Sequence, residues 1–242
     1  MTRIFLKEIL AVAQECILSA DDSHYLSSVL RMREGESLDV VDGSGRVYIA
    51  SVKDAAKNNF VLIIDGEQHG SHEPGVRVTL FQSVSKGERM DLTIQKAVEL
   101  GVHKIVPVLS ERCVVRLDGK KDKSDRWQKI ALEAARQSGR DIVTVVTEPV
   151  RFADAVKSSG AGLKIIPWEE AKGITLKEVL VKRSGLENEI SVFIGPEGGF
   201  TAAEADMARA NGIIPVTLGP RILRTETAGP AVLAMIMYET EL

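Results

Sequence analysis

The sequence predicts an α/β protein: a small β-rich module with one helix, followed by a larger domain built on a parallel sheet. Three observations predict it. In "SLDVVDGSGRVYIASVKDAAKNNFVLIID", Ser37 to Asp65, apolar and polar residues alternate in short runs, the pattern of half-buried strands. From Val76 onward the rhythm changes to β runs separated by amphipathic helical stretches, the pattern of a parallel sheet with crossover helices. Between the two lies "DGEQHGSHEPG", Asp65–Gly75, almost without apolar residues and carrying Gly, Ser and Pro, which marks a domain boundary.

The elements follow in order. "ADDSHYLSSVLRM" reads as one short helix with Asp22 or Ser23 as N-cap. Three β runs come next, Ser37–Val41, Arg46–Lys53 and Asn59–Ile64, with "DGSG" as a hairpin turn between the first two, so the module is expected to be a small barrel. Beyond the boundary, "VRVTLFQSV" is a β run, "GERMDLTIQKAVELG" a helix closed by Gly101, and "KIVPVL" a second β run. A helix over Asp125–Ser138 follows, then β runs near Ile142–Val146 and Leu163–Ile166 and a helix near Thr175–Lys182. "EISVFIG", a helix over Ala202–Asn211, "IIPVTLG" and a final apolar helix complete the pattern, with no internal repeat.

Composition excludes several classes. The 242 residues hold no apolar run near the roughly 20 residues of a membrane helix, and "MTRIFLKEIL" lacks the apolar core and cleavage site of a secretory signal, so a cytoplasmic protein is expected. Cys16 and Cys113 belong to no C-x-x-C pair, and His24, His69, His72 and His103 lack ligand spacing, so no metal is expected. A net charge of −3 argues against a broadly basic nucleic-acid glove. The local exception is "RCVVRLDGKKDKSDR", Arg112–Arg126, which meets phosphates or is simply a solvated loop.

In parallel α/β sheets, ligands collect where strands end and helices begin. Three strand ends carry unusual loops: "VLSERC" at Val108–Cys113, "FIGPEGGF" at Phe193–Phe200 and "LGPRILRTETAG" at Leu218–Gly229. Gly195, Gly198, Gly199 and Gly219 let backbone approach a ligand closely, and Ile222 with Leu223 can wall a flat ring such as adenine. No G-x-x-x-x-G-K-[ST] loop and no strand-to-helix G-x-G-x-x-G occurs, which disfavours a kinase, an ATPase or an ordinary Rossmann cofactor site.

Taken together, "RIFL" and "HYLSSVLRMREGESLDVVDGSGRVY", then "IQKAVELGVHKIVPVLSERCVV", "RWQKIALEAARQSGR", "FIGPEGGFTAAE" and "LGPRILRTETA" span nearly all of the chain in one order. In these segments the chain resembles the SPOUT superfamily of RNA methyltransferases, and within it the ribosomal RNA small subunit methyltransferase E family, which methylates uridine N3 in 16S rRNA. The resemblance implies a PUA-like, RNA-binding β-barrel over 1–72 and a trefoil-knotted SPOUT methyltransferase domain with a parallel sheet over 73–242. It further implies S-adenosylmethionine as cofactor, the small ribosomal subunit and its 16S rRNA as partner in ribosome biogenesis, and a homodimer formed through the C-terminal domain. The apolar helix after "RTET" would then face both core and second subunit, or be the last core helix of a monomer.

The implied cofactor residues are Leu109, Ser110, Ile194, Gly195, Glu197, Gly198, Gly199, Leu218, Gly219, Ile222, Leu223 and Arg224. Methylating N3 of uracil needs alignment of the nitrogen with the methyl group, loss of a proton and stabilisation of charge on the uracil oxygens. Arg224 suits the last task, contacting the uracil or its phosphate, with Arg221 second. Glu226 is a base or an orienter, or equally an acceptor for backbone N–H groups at the start of the final helix. The expected RNA contacts are Arg3, Arg31 and Arg33 in the first domain, Arg136 and Arg140 in "EAARQSGR", and Arg221. With seven Lys/Arg against eleven Asp/Glu over residues 1–72, the first domain would grip rRNA through local patches. The rival class is a catalytically silent rRNA-binding or ribosome-assembly factor of the same fold, against which the intact "GPEGG" and "RILRTET" argue.

Overall fold

Backbone pairing extends the alternating runs into two sheets. The structure, a computed structural model, describes residues 3–56, 59–114, 120–160, 162–182 and 188–241, and the side chains of all these except 120–122 and 241. Of the basic Arg112–Arg126 stretch, residues 115–119 lie outside the described residues. Two compact units result, Met1–Glu73 with Ala135–Val143, and Pro74–Ala134 with Thr144–Leu242.

The first unit is a five-stranded sheet. Its strands are β1 (Arg3–Phe5), β2 (Glu15–Ile17), β3 (Ser37–Val41), β4 (Val47–Ala56) and β5 (Asn59–Gln68), in the order β1-β3-β4-β5-β2. The pairing is antiparallel except for β1 beside β3. β1 and β2 are three residues each, too short for alternation to reveal them. β5 runs into the polar boundary segment, because Gly66, Glu67 and Gln68 pair through their backbones with Ile49, Tyr48 and Val47, and ladder bonds require no apolar side chains. The "DGSG" turn forms as expected: Asp42 Oδ1 accepts from the Ser44 and Arg46 backbone N–H groups at 2.8 and 3.1 Å, an Asx-type turn.

Helix α1 (Ala20–His24) passes into a π-helical turn at Tyr25–Val29. Its cap is neither Asp22 nor Ser23 but Ser19, which keeps an extended backbone while its Oγ accepts the Asp22 N–H at 3.2 Å. Ser23 is buried and accepts the Phe60 N–H. Ile4, Leu26, Leu38, Val40, Ala50, Phe60, Leu62 and Ile64, all fully buried, form this unit's core.

The second unit is a parallel sheet with helices between its strands. β6 (Arg77–Ser83), β7 (Lys104–Leu109), β8 (Val145–Val146), β10 (Leu163–Pro167), β11 (Glu189–Ile194) and β12 (Ile214–Val216) lie in the order β12-β10-β11-β6-β7-β8, and β9 (Val150–Arg151) pairs with the end of β7. The helices are α2 (Glu88–Glu99), α3 (Lys120–Ser138), whose residues from Ala135 on belong to the first unit, α4 (Phe152–Ser158), α5 (Leu176–Val181), α6 (Ala202–Ala210) and α7 (Thr225–Glu241); α3 begins five residues before the expected Asp125. Capping boxes start α5 and α6: Thr175 and Thr201 accept the N–H of Glu178 and Glu204, whose carboxylates return to the caps.

Central strand β11 is apolar and buried from Ile190 to Ile194 except for Ser191, itself buried, as a strand covered on both faces must be. Phe193 stacks on Phe81 of neighbouring β6, with ring centroids 4.3 Å apart. Helix α7 buries Val232, Leu233, Ile236 and Met237, and exposes Met235 and Tyr238 on its other side.

Candidate functional site

Because every pairing in the second sheet is parallel, its strands end at one edge. The chain moves from β6 outward to β7 and β8, then crosses to the opposite side for β10, β11 and β12, which creates a crevice at the ends of the strands where the direction reverses. A cavity of about 720 Å³ opens there, lined by the segments that leave β10, β11 and β12 and by the start of α7.

The glycine-rich turn after β11 sets one wall. Gly199 has φ +67°, a left-handed backbone that calls for glycine, and the Glu169 carboxylate lies against it, with Oε1 2.3 Å from where a Cβ would stand. At Gly198 a Cβ would instead meet the stem of Arg112 at 3.3 Å, and the Arg112 guanidinium donates to the Gly198 carbonyl at 2.8 Å. A second wall is the segment from Thr217 to Thr225. Thr217 Oγ1 accepts the Gly219 N–H at 3.2 Å and closes a tight turn in which Gly219 has φ +104°.

The two walls are joined at Thr225. This buried hydroxyl donates to the Gly195 carbonyl at 2.6 Å and accepts from Gln82 Nε2 at 2.9 Å, so one side chain joins the ends of β11 and β6 to the start of α7. Gln82 is fully buried, and its Nε2 also donates to the Ser83 carbonyl.

The cavity's acids and bases form a small network. Arg89, in the first turn of α2, donates to Glu197 Oε1 at 2.8 Å and lies 3.7 Å from Glu226 Oε1. Burial raises the Glu197 carboxyl, but its own backbone N–H, that of Lys86 and the Arg89 guanidinium outweigh the effect and hold it below the usual carboxylate range. Glu226 Oε2 is buried and has no hydrogen-bond partner among the described residues. Arg221 and Arg224 are exposed on the lining and form no ion pair with any described residue.

The structure brings together Ile194, Gly195, Glu197, Gly198, Gly199, Leu218, Gly219, Arg221, Ile222, Leu223, Arg224 and Glu226, all lining this cavity. Leu109 and Ser110 do not line it. They leave β7, which is separated from β11 by β6, and Ser110 Oγ turns to Ser83 Oγ at 3.1 Å. Arg89, Trp168, Glu169 and Thr225 are lining residues that the sequence reading missed. For Trp168 and Glu169 the signal was present: "IIPWEE" is also a strand end, of the kind that singled out the other loops.

The arginines expected to meet RNA divide into two groups. Arg31, whose φ is +56°, and Arg33 are exposed. Arg3, Arg136 and Arg140 are buried ion-pair partners within the first unit, a correction to their expected role. Arg3 is 2% exposed and donates to Asp39 at 3.1 Å and to Asp141 and the Gly139 carbonyl at 2.5 Å. Arg136 donates to Asp22 at 2.8 Å and lies 4.4 Å from the centroid of the Tyr25 ring, and Arg140 grips Glu73 with two nitrogens. A guanidinium taken out of water and matched to a carboxylate is held in place and is not free for a phosphate. These bonds also explain why Ala135–Val143 belongs to the first unit.

Among the described residues no cluster of His, Cys, Asp and Glu could hold a metal ion, and no helix is long and apolar enough to cross a membrane.

Comparison with known proteins gives matches along nearly the whole chain. Residues 72–237 match an RNA methyltransferase domain and residues 18–65 an RNA methyltransferase PUA domain. The ribosomal RNA small subunit methyltransferase E of Bacillus subtilis is 31% identical over 100% of this chain and 98% of its own length, and that of Synechocystis sp. is 34% identical over 94% and 76%. A crystal structure of the ribosomal RNA small subunit methyltransferase E of Neisseria gonorrhoeae, bound to S-adenosyl methionine, superposes with a TM-score of 0.90 at 36% identity, covering 98% of this chain and 97% of that one.

Proposed function

The chain belongs to the ribosomal RNA small subunit methyltransferase E family, and on that premise we propose that it transfers a methyl group from S-adenosylmethionine to N3 of a specific uridine in 16S rRNA of the small ribosomal subunit. The observation that carries this reading is the cavity at the ends of β10, β11 and β12, with Arg224 and Glu226 on its lining. Its volume of about 720 Å³ lies within the range of roughly 300–1,000 Å³ usual for cofactor sites. Gly199 turns the backbone through φ +67° at the glycine-rich wall, and Glu226 Oε2 is an acceptor without a partner among the described residues.

In this reading Leu218, Gly219, Ile222 and Leu223 bracket the adenine, and Ile194, Gly195, Glu197, Gly198 and Gly199 form the opposite wall. The cofactor supplies an electrophilic methyl group on a sulfonium centre. The protein's own task is positioning, which is worth up to about 7–11 kcal/mol in well-oriented intramolecular systems, together with charge stabilisation. Arg224, exposed and without an ion pair among the described residues, neutralises the negative charge that spreads over the uracil oxygens once N3 loses its proton. Glu226 presents an oxygen to receive or orient that proton, while Arg89 anchors Glu197 and stands beside Glu226.

Recognition of rRNA falls to Arg31 and Arg33 in the PUA unit and to Arg221 at the cavity. The exposed Met235 and Tyr238 on α7 support a homodimer through the C-terminal domain. The reading includes the trefoil-knotted threading of that domain and action in the cytoplasm.

The test is methyl transfer from labelled S-adenosylmethionine to small ribosomal subunits lacking the modification, followed by mass analysis of the nucleosides. The expected product is 3-methyluridine. Binding of the cofactor and the subunit without any methylated nucleoside would overturn the catalytic reading in favour of a silent assembly factor.

A further inference from the structure

The cavity holds three carboxylates, and two of them have charged neighbours. Glu197 is bound by Arg89 and the Lys86 N–H, and Glu226 stands 3.7 Å from Arg89. Glu169 differs. It is exposed on the cavity lining, two residues past the end of β10, and it has no hydrogen bond or ion pair among the described residues.

The backbone that carries it is nevertheless held in place. The preceding residue, Trp168, is tied on both sides: its backbone N–H donates to the Val216 carbonyl at 3.1 Å, and its indole Nε1 donates to the Phe200 carbonyl at 3.3 Å. The first bond fixes the end of β10 to the end of β12, which leads directly into the Leu218–Gly219 wall. The second fixes it to the glycine-rich turn. The Glu169 carboxylate rests over Gly199, with Oε1 2.3 Å and Oε2 3.0 Å from where a Cβ would stand. Two acceptor oxygens thus sit against the glycine turn, on a segment tied through Trp168 to the end of β12.

A carboxylate is an acceptor-only group with two oxygens, suited to a pair of neighbouring hydroxyls; the ribose diol of a nucleoside is such a pair. We propose that Glu169 accepts the ribose hydroxyls of the cofactor and thereby selects a methyl donor that carries an intact ribonucleoside. The inference rests on the assignment of this cavity to S-adenosylmethionine. The rival role for this carboxylate, holding the ammonium of the methionine arm, is an outcome that the choice of ligands separates.

The experiment compares the wild-type chain with Glu169→Ala and Glu169→Gln by isothermal titration. Its ligands are S-adenosylhomocysteine, the 2′-deoxy and 3′-deoxy forms of that compound, and 5′-methylthioadenosine, which keeps the ribose but lacks the amino-acid arm. The wild type should bind the deoxy forms about tenfold more weakly than S-adenosylhomocysteine, the scale expected when a hydrogen bond to a charged group is lost. Glu169→Ala should bind S-adenosylhomocysteine about 10- to 100-fold more weakly, no longer distinguish the deoxy forms, and weaken 5′-methylthioadenosine by the same factor. Glu169→Gln, which keeps one carbonyl acceptor, should fall between.

An undiminished deoxy penalty in Glu169→Ala would overturn the proposal. So would a loss confined to S-adenosylhomocysteine with 5′-methylthioadenosine unaffected, which would move Glu169 to the amino-acid arm. Failure of the folded wild type to bind any of the four ligands would remove the cofactor reading of the cavity, and this inference with it.

Discussion

Replacing Thr225 with valine tests how the site is held together. Valine keeps the shape of threonine and exchanges the hydroxyl for a methyl group, so packing is nearly conserved while two hydrogen bonds vanish: the one donated to the Gly195 carbonyl at 2.6 Å and the one accepted from Gln82 Nε2 at 2.9 Å. Each is worth about 0.5–1.5 kcal/mol net, and more where a buried group is left unpaired. The Gln82 amide is fully buried and would keep only the Ser83 carbonyl as partner for its Nε2, so the upper part of that range applies to it. The expected loss is about 2–3 kcal/mol. For a chain of this length, about 2–4 °C per kcal/mol converts it to a fall in Tm of roughly 5–10 °C by calorimetry. The same variant should lose about 10- to 100-fold in methyl transfer, since the walls carrying Gly195 and Arg224 would no longer be held in register. Thr225→Ser, which retains the hydroxyl, should recover most of both effects. A Thr225→Val variant with wild-type Tm and turnover, or a serine variant as impaired as the valine one, would refute the reasoning.

Other outcomes follow from the same structure. Arg224→Ala should depress turnover by about 10²–10³-fold, the scale for removing a preorganised charge-stabilising donor, with cofactor affinity within a few-fold; an unchanged kcat would remove Arg224 from the reaction. Gly199→Ala should cost about 1–2 kcal/mol in urea denaturation, more than Gly198→Ala, because of the two only Gly199 has a left-handed backbone, φ +67°; equal costs would contradict the geometry. Burial raises the Asp141 carboxyl, but bonds from His72 and Arg3 outweigh this and depress it below its unfolded value of 3.8. Its contribution to stability is therefore complete above about pH 4 and lost as pH falls through the folded value, so Asp141→Asn should flatten the acid limb of the urea midpoint measured from pH 6 down to pH 2. Arg31→Ala should weaken rRNA binding and lower the salt slope by about one contact, whereas Arg3→Ala should act through lost stability of the first unit; equal salt slopes for Arg31→Ala and wild type would exclude the phosphate contact.

What the sequence determined by itself is what local chemistry decides. Alternation from Ser37 to Ile64 gave β3, β4 and β5, the Asp42–Gly45 turn followed from an Asx side chain before glycine, and Gly101 follows α2 with φ +86°. The loops after β11 and β12, which line the cavity, stood out because glycine and proline interrupt apolar runs there. These are properties of residues within a few positions of one another, and the chain writes them directly.

Tertiary structure decided which strand ends share a cavity and which charges stay in water. Strand order is set by pairings between distant segments, so nothing local shows that β10 lies beside β11 and β12, which puts Trp168 and Glu169 on the lining, while β6 stands between β11 and β7 and keeps Leu109 and Ser110 off it. Arg89 reaches the site for the same reason, because α2 begins just beyond the end of β6 and brings its guanidinium to Glu197 and Glu226. Arg3, Arg31, Arg136 and Arg140 are alike as letters. Only the folded chain sets Arg3 beside Asp39 and Asp141, Arg136 beside Asp22 and Arg140 beside Glu73, and leaves Arg31 in solvent. The role of an arginine depends on the carboxylates that long-range packing brings within about 3 Å of it, and that distance is a property of the fold.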